Sequence, residues 1–509
     1  MDAQTLQVRN PATLEIITEL KTTAPADMAT MVQRGRQSQW LWQQTSFAER
    51  RKIFFRLRDL LLDDSDRLAD ILTGETGRPR AEVCGNELFY LCNAIGMWAK
   101  KAEEFLRPEI IRPHFPLVKF KKVVCSYQPR GVIGIISPWN FPLTMTLGEA
   151  IPALMAGNAV IIKPSELTPL SALYGAEIAA KAGLPENLFQ VAVGYAATGE
   201  ALIDHADMIA FTGSVETGKR VMRRAAERLV PVSLELGGKD PLIVLKDADL
   251  DRAAGACVWG ALMNCGQACT SIERVYVEAP VYREFVDKVV ARVRAIRQGA
   301  SADEVDVGSL TSEQQLNKIT AQVEEAVARG AKLLAGGRRN PTLKGFYYEP
   351  TVLVDVNHTM SIMNEETFGP VIPIMQARDA DEALRLANDS KYGLSASVFS
   401  KDRAVAQNFA THLDSGAVCV NDSLVNFIIP DAPMGGRKES GFGARHGAQG
   451  IRKFCQQKTI VSDRFGLKEE FPWYPATAKK ANQVRHLLNL LCHTGWRHKL
   501  KAFIGLIKS

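Results

Sequence analysis

From about Met28 to Arg107, apolar residues recur at helical spacing, most plainly in AERRKIFFRLRDLLLDDSDRLADILTGETG, and turn-forming residues are few. This pattern predicts a run of helices. From Gly131 the texture changes: the β-branched stretch GVIGIIS leads into PWNFP and a helical pattern to Met155, followed by a strand NAVIIKP and a helix over LSALYGAEIAAKAG. The strand LFQVAVG, the helix GEALIDHA, the short strand MIAFTGS and the helix ETGKRVMRRAAERL come next. Strands alternating with helices in this way predict βαβ units and a parallel sheet with both faces covered. After Leu234 a second α/β series begins with the strand PLIVL and a helix from about Leu250 to Met263, and SIERVYVE, KLLAGG and SASVFS read as further strands. No internal repeat or low-complexity segment interrupts the two series.

Composition narrows the class. A chain of 509 residues has room for two or three domains, and 46% hydrophobic with 23% charged residues is the balance of a globular protein. The start MDAQTLQVRNPATLEII has no basic segment leading into an apolar one, and no apolar run reaches about 18 residues, so a cytoplasmic protein is expected. The nine cysteines are odd in number and scattered without a CxxC pair, which predicts reduced thiols and neither a disulfide framework nor a metal site. Net charge is +6, but seven of the 62 Lys and Arg, and none of the 56 Asp and Glu, lie from Phe471 to Ser509. The remaining body has 55 basic against 56 acidic residues and carries −1, so it lacks the electrostatic support for binding nucleic acid.

Three short stretches carry candidate chemistry. NCGQACTS, Asn264 to Ser271, sets Cys265 and Cys269 four residues apart, which suits a buried pair, half a metal site or a nucleophile in a turn. TGSVETG places Gly213 and Ser214 at a helix start, where free N–H groups and a hydroxyl can meet phosphate oxygens. KPSE places Lys163 and Glu166 at the carboxyl end of the strand NAVII, where parallel sheets bind ligands, and both can hydrogen-bond a ribose. Taken singly, each stretch equally suits a buried thiol, an ordinary N-capped helix, or a solvated Lys and Glu.

Read together, PWNFP, KPSE, FTGS, LELGGKDP, GQACTS, EETFGP and PMGGRKESGFG follow the order and approximate spacing of the aldehyde dehydrogenase superfamily, which the chain resembles from roughly Val8 to Val461. SLELGGKDPLIVLKDADLDRAA and the segment containing GARHGAQGI are most similar to the bacterial succinate-semialdehyde-dehydrogenase-like group. The resemblance implies an α/β fold with a Rossmann-type cofactor domain (residues 1–118 and 131–235) and an α/β catalytic domain (236–432). It also implies a small β bridging element (119–130 and 450–465) that pairs subunits into a homodimer or homotetramer. It implies NAD(P)-dependent, non-acylating oxidation of an aldehyde, with Cys269 as nucleophile, Glu235 as general base and Asn140 as oxyanion donor. Lys163, Glu166, Gly213, Ser214, Trp139, Glu366 and Phe368 are then the residues that bind NAD, with NADP also admitted. The chemistry agrees: a thiolate that adds to an aldehyde gives a thiohemiacetal able to lose hydride, and an acid flanked by Leu234 and Leu236 suits a base that activates water. An uncharged amide at Asn140 stabilises an alkoxide without neutralising Glu235.

The substrate is a separate matter. Nine residues after Asn140, where the family often has Lys, this chain has Glu149. Neither NFPLTMTLGEA nor NCGQACTS holds an Arg or Lys for a distal carboxylate; they offer Phe141, Leu143, Met145 and Leu147, so an apolar aldehyde of medium or long chain is expected. A succinate-semialdehyde dehydrogenase, a CoA-acylating enzyme and a catalytically silent binding protein of the same fold are the alternatives, and Glu235 argues against the second. In the tail, residues 466–509, WRHKLKAFIGLIKS sets Trp496, Leu500, Phe503, Ile504 and Ile507 on one helical face among Lys and Arg. Such a helix suits an anionic membrane surface, and equally a docking site on the protein's own body or a partner subunit.

Overall fold

The computed structural model describes residues 5–300, 304–466, 468–471 and 473–508. The predicted helical run folds as Met28–Trp42, Phe47–Asp63, Ser65–Thr76 and Tyr90–Phe105. Ser46 opens the second of these with a reciprocal capping box to Glu49, which satisfies helix-end N–H groups that would otherwise face solvent unpaired. Val32, Phe54, Leu57, Leu61, Leu72 and Trp98 turn inward from these helices and join one continuous core with the strands of the first sheet.

That sheet has six strands in the order Gly441–Phe442, Val232–Glu235, Met208–Thr212, Val132–Ile136, Ala159–Lys163 and Phe189–Val191. The five from Val232–Glu235 onward are mutually parallel, and Gly441–Phe442 closes the edge antiparallel to Leu234 and Glu235. Chain order steps outward from Val132–Ile136 in one direction, then resumes on its other side with Met208–Thr212. Ligands of such sheets bind beyond the strand ends at this point of reversal. A second core fills a seven-stranded sheet, ordered Lys332–Ala335, Thr351–Val354, Val371–Ala377, Ile272–Glu278, Asp240–Val244, Ser395–Phe399 and Ala417–Val420. Its strands are parallel apart from the antiparallel edge Lys332–Ala335.

Both sheets belong to one compact unit, residues 1–108 and 126–458. A second unit comprises residues 109–125 and 459–509. Within it Glu109–Ile111 pairs antiparallel with Val123–Cys125. Its helices Ala478–Cys492 and Trp496–Lys508 approach so closely that a Cβ at Gly505 would lie 2.3 Å from the His486 ring.

Candidate active site

The strand ends of the first sheet deliver the predicted residues to one place. Val132–Ile136 runs into Trp139 and Asn140, Met208–Thr212 into Gly213 and Ser214, and Val232–Glu235 ends on Glu235 itself. These residues, with Glu166, Glu366, Phe368 and Cys269, wall one open cleft. Lys163 is buried behind that wall, its ammonium 3.2 Å from Glu166.

A second, narrow cavity also reaches Cys269. Its wall is Asn86, Phe141, Met145, Trp259, Met263, Ala268, Thr270, Leu424, Phe427 and Ile428, without a charged side chain. Cys269 and Met145 line both cavities. The expectation for Leu143 and Leu147 needs correction: both are fully buried in the core, not on the tunnel wall. On the helix Pro142–Met155 each lies two residues, or about 200°, from Met145, and so faces the opposite way.

The Cys269 loop owes its shape to three successive residues in left-handed backbone, Asn264 (φ 53°), Cys265 (φ 54°) and Gly266 (φ 72°). Only glycine fits the third, where a Cβ would lie 2.1 Å from the Gly369 carbonyl oxygen. Gln267 then braces the loop: its carbonyl accepts from Asn140 Nδ2 (3.0 Å) and Asn264 Nδ2 (3.1 Å), and its Oε1 accepts from the Thr311 N–H (2.9 Å). Cys265 is buried in the second core, whereas Cys269 keeps partial exposure. Burial pushes the Cys269 thiol up to about 12, with Arg445 acting in the opposite direction.

Asn140 shares one amide hydrogen with Gln267 and has no partner on Oδ1. Glu235 is likewise buried, its Oε1 unpartnered, and burial raises its carboxyl to about 7 against the pull of Lys453 and Arg445. A carboxyl poised near neutrality and free of a permanent partner is suited to taking a proton from water. Across the cleft, Glu366 accepts from the Gly238 N–H at 3.1 Å, and Phe368 meets Trp139 edge-on at 5.4 Å between ring centres. Glu273 fixes this turn by accepting from the N–H groups of Thr367 and Phe368, both 2.7 Å, while paired with buried Lys239 at 2.7 Å.

Sequence reasoning missed several groups, Arg445 the most consequential. Arg445, three residues beyond the strand Gly441–Phe442, is buried with its guanidinium 2.9 Å from Thr212 Oγ1, 3.0 Å from Met145 Sδ and 3.4 Å from Glu149. Glu149 also pairs with Lys453. Ser312, Gln314, Gln315 and Lys318 also line the cleft and went unforeseen, since nothing in their sequence marks them.

A sequence model of the aldehyde dehydrogenase family matches residues 1–460. The chain belongs to the aldehyde dehydrogenase family. It is an oxidoreductase that acts on aldehydes with NAD(P). A Mycobacterium tuberculosis protein carrying the provisional name succinate-semialdehyde dehydrogenase [NADP(+)] 2 is 40% identical over 91% of this chain and 89% of its own. The 4,4'-diapolycopene aldehyde oxidase of a Methylomonas species is 37% identical over 96% and 91%. Among solved structures, an M. tuberculosis aldehyde dehydrogenase complexed with NAD+ superposes with a TM-score of 0.87 at 34% identity, covering 92% of this chain and 96% of that one. The aldehyde dehydrogenase fold expected from the motifs is thus the fold observed.

Proposed function

We propose that this aldehyde dehydrogenase oxidises an apolar aldehyde of medium or long chain to its carboxylic acid, preferring NAD. The observation that carries the reading is Cys269 standing where an uncharged tunnel meets a polar cleft. The Cys269 thiol gives its proton to water in the cleft, its sulfur adds to the aldehyde carbonyl, and the Asn140 amide and the Cys269 N–H stabilise the resulting oxyanion. A bound NAD(P) supplies the acceptor for the two electrons and the hydrogen that the thiohemiacetal gives up in becoming a thioester. Glu235 then takes a proton from water as that water attacks the thioester, releasing the acid and restoring the thiol.

The cleft fits such a cofactor. Its wall offers the N-terminus of the helix Val215–Ala226 with the Ser214 hydroxyl for phosphate, Glu166 with Lys163 behind it for the adenosine ribose, and Glu366 for the other ribose. Phe368 and Trp139, in edge-to-face contact, stand on the same wall. Glu166 favours NAD, because a carboxylate repels a 2′-phosphate. A succinate semialdehyde, suggested by the mycobacterial relative's name, needs a cation for its distal carboxylate, and the tunnel wall supplies none.

Residues 1–118 with 131–235 form the cofactor domain in this reading and 236–432 the catalytic domain. Segments 119–130 and 450–465 join subunits into a homodimer or homotetramer. The cytoplasmic enzyme binds no nucleic acid and meets anionic membrane through its tail. Supporting the last point, Trp496, Leu500, Phe503, Ile504 and Ile507 are 45–71% exposed on a helix surrounded by Lys and Arg. No helix among the described residues is long and apolar enough to cross a membrane, so the contact is peripheral. Steady-state NADH production with hexanal, decanal and succinate semialdehyde, with and without CoA, tests the proposal. It predicts the highest kcat/KM for decanal and no CoA requirement; preference for succinate semialdehyde or dependence on CoA would overturn it.

A further inference from the structure

Of the charged groups acting on the Cys269 sulfur, Asp240, Glu366 and Glu235 are carboxylates that oppose thiolate formation, and Arg445 is the cation. The groups acting on Glu235 are Lys453 and Arg445, which favour its ionised form, and Glu149, which opposes it. Arg445 is the cation common to both, and its contacts place it beside them: it donates to Thr212, the register partner of Glu235, and touches Met145, which lines both cavities together with Cys269. It does not stand on the wall of the tunnel or the cleft, and so does not meet substrate. Its guanidinium is held from below by Glu149 at 3.4 Å, from the side by Thr212 Oγ1 at 2.9 Å, and touches Met145 Sδ, the other residue shared by the two cavities. Its backbone is pinned by a reciprocal pair with Met434, at 2.7 and 3.0 Å. A buried guanidinium cannot shed its proton, so this charge is permanent. The adjacent His446 is neutral, its imidazole pushed down to about 3 by burial and by Arg445, and Tyr90, bonded to it at 2.5 Å, keeps its proton because burial raises the phenol.

We propose that Arg445, fixed by Glu149, is a positioning residue that supplies a permanent buried positive charge to both Cys269 and Glu235, promoting the thiolate and keeping the base ionised. Glu149 occupies the place where the family often has Lys, so here the anion anchors and the cation acts. The proposal deepens the reading of Cys269 and Glu235 given above and rests on it. Two consequences have opposite sign. Removing the Arg445 charge raises the titration points of both groups, while neutralising Glu149 leaves the guanidinium without its local anion and lowers that of Glu235. A purely structural role for Arg445 moves neither titration point.

The test uses the full-length protein. Inactivation by iodoacetamide is followed from pH 6 to 10, with peptide mapping to identify the alkylated cysteine, and the pH profile of kcat is measured with decanal and NAD. Arg445→Met should slow alkylation of Cys269 about tenfold at pH 7, with recovery at high pH, and move the acid limb of kcat up by about one pH unit. Arg445→Lys should restore most of both. Glu149→Gln should move the acid limb downward, which keeps the proposal open to refutation if Arg445→Met fails to fold. Unchanged profiles in folded Arg445→Met, or limbs that move the same way in Arg445→Met and Glu149→Gln, overturn it. Alkylation of Cys269 that leaves activity intact removes the thiol from the chemistry, and the proposal with it.

Discussion

Replacing Glu235 by glutamine is expected to slow turnover sharply while making the fold less sensitive to rising pH. Burial raises this carboxyl from 4.5 to about 7, so between those values the folded chain holds a proton that the unfolded chain has released. The folded state consequently loses stability as pH climbs through this window, and above pH 7 the deficit is constant. At about 1.4 kcal/mol per pH unit the full deficit is about 3 kcal/mol, of which about 2 kcal/mol develops between pH 5.5 and 8.5. Glutamine does not ionise, and the cost of burying its amide does not vary over this range. The variant's stability relative to the native chain should therefore rise by about 2 kcal/mol from pH 5.5 to 8.5, or roughly 2 °C in Tm at about 2.1 cal/mol/K per residue. In rapid mixing the same variant should release one NADH per site in a burst, then turn over slowly, because hydride leaves before the base is needed. A Tm difference that is flat with pH, or steady-state turnover equal to the native enzyme's, would refute the argument.

Cys269→Ala should abolish aldehyde oxidation and Cys265→Ala retain most of it, because Cys265 is buried in the second core away from both cavities; label from a reactive aldehyde analogue on Cys265 would reverse the assignment. Glu166→Ser should raise kcat/KM for NADP several-fold relative to NAD, and an unchanged ratio would remove Glu166 from cofactor choice. A chain ending at Glu470 should keep its activity on hexanal and cease to sediment with anionic vesicles at low salt; equal sedimentation of both forms would assign the tail helices to docking on protein.

The α/β alternation was legible because continuous apolar strands such as AVIIK and amphipathic helices such as Val215–Ala226 each bear their own period, and both folded where that period placed them. Cys269, Glu235 and Asn140 were legible only as members of ordered motifs. Nothing local brings together residues that are 34 to 129 positions apart, and the structure does so through strand ends of two sheets. The tunnel was read in part. Phe141 and Met145 point into it, but Leu143 and Leu147 belong to the opposite helix face, and Trp259, Met263, Leu424 and Phe427 carry no signal that separates a tunnel wall from a core. Arg445 was invisible for a related reason: its meaning depends on Glu149, Thr212 and Met145, which lie between 233 and roughly 300 positions away.

The central claim is covalent catalysis at Cys269 on an aldehyde delivered through the apolar tunnel. Its most direct test is intact-protein mass spectrometry of Glu235→Gln, mixed with decanal and NAD and quenched in acid within the burst. The account predicts one decanoyl adduct per chain, mapped to Cys269 and released by hydroxylamine, with no comparable adduct from succinate semialdehyde. An unmodified chain despite NADH release, or acyl label on another residue, would contradict it.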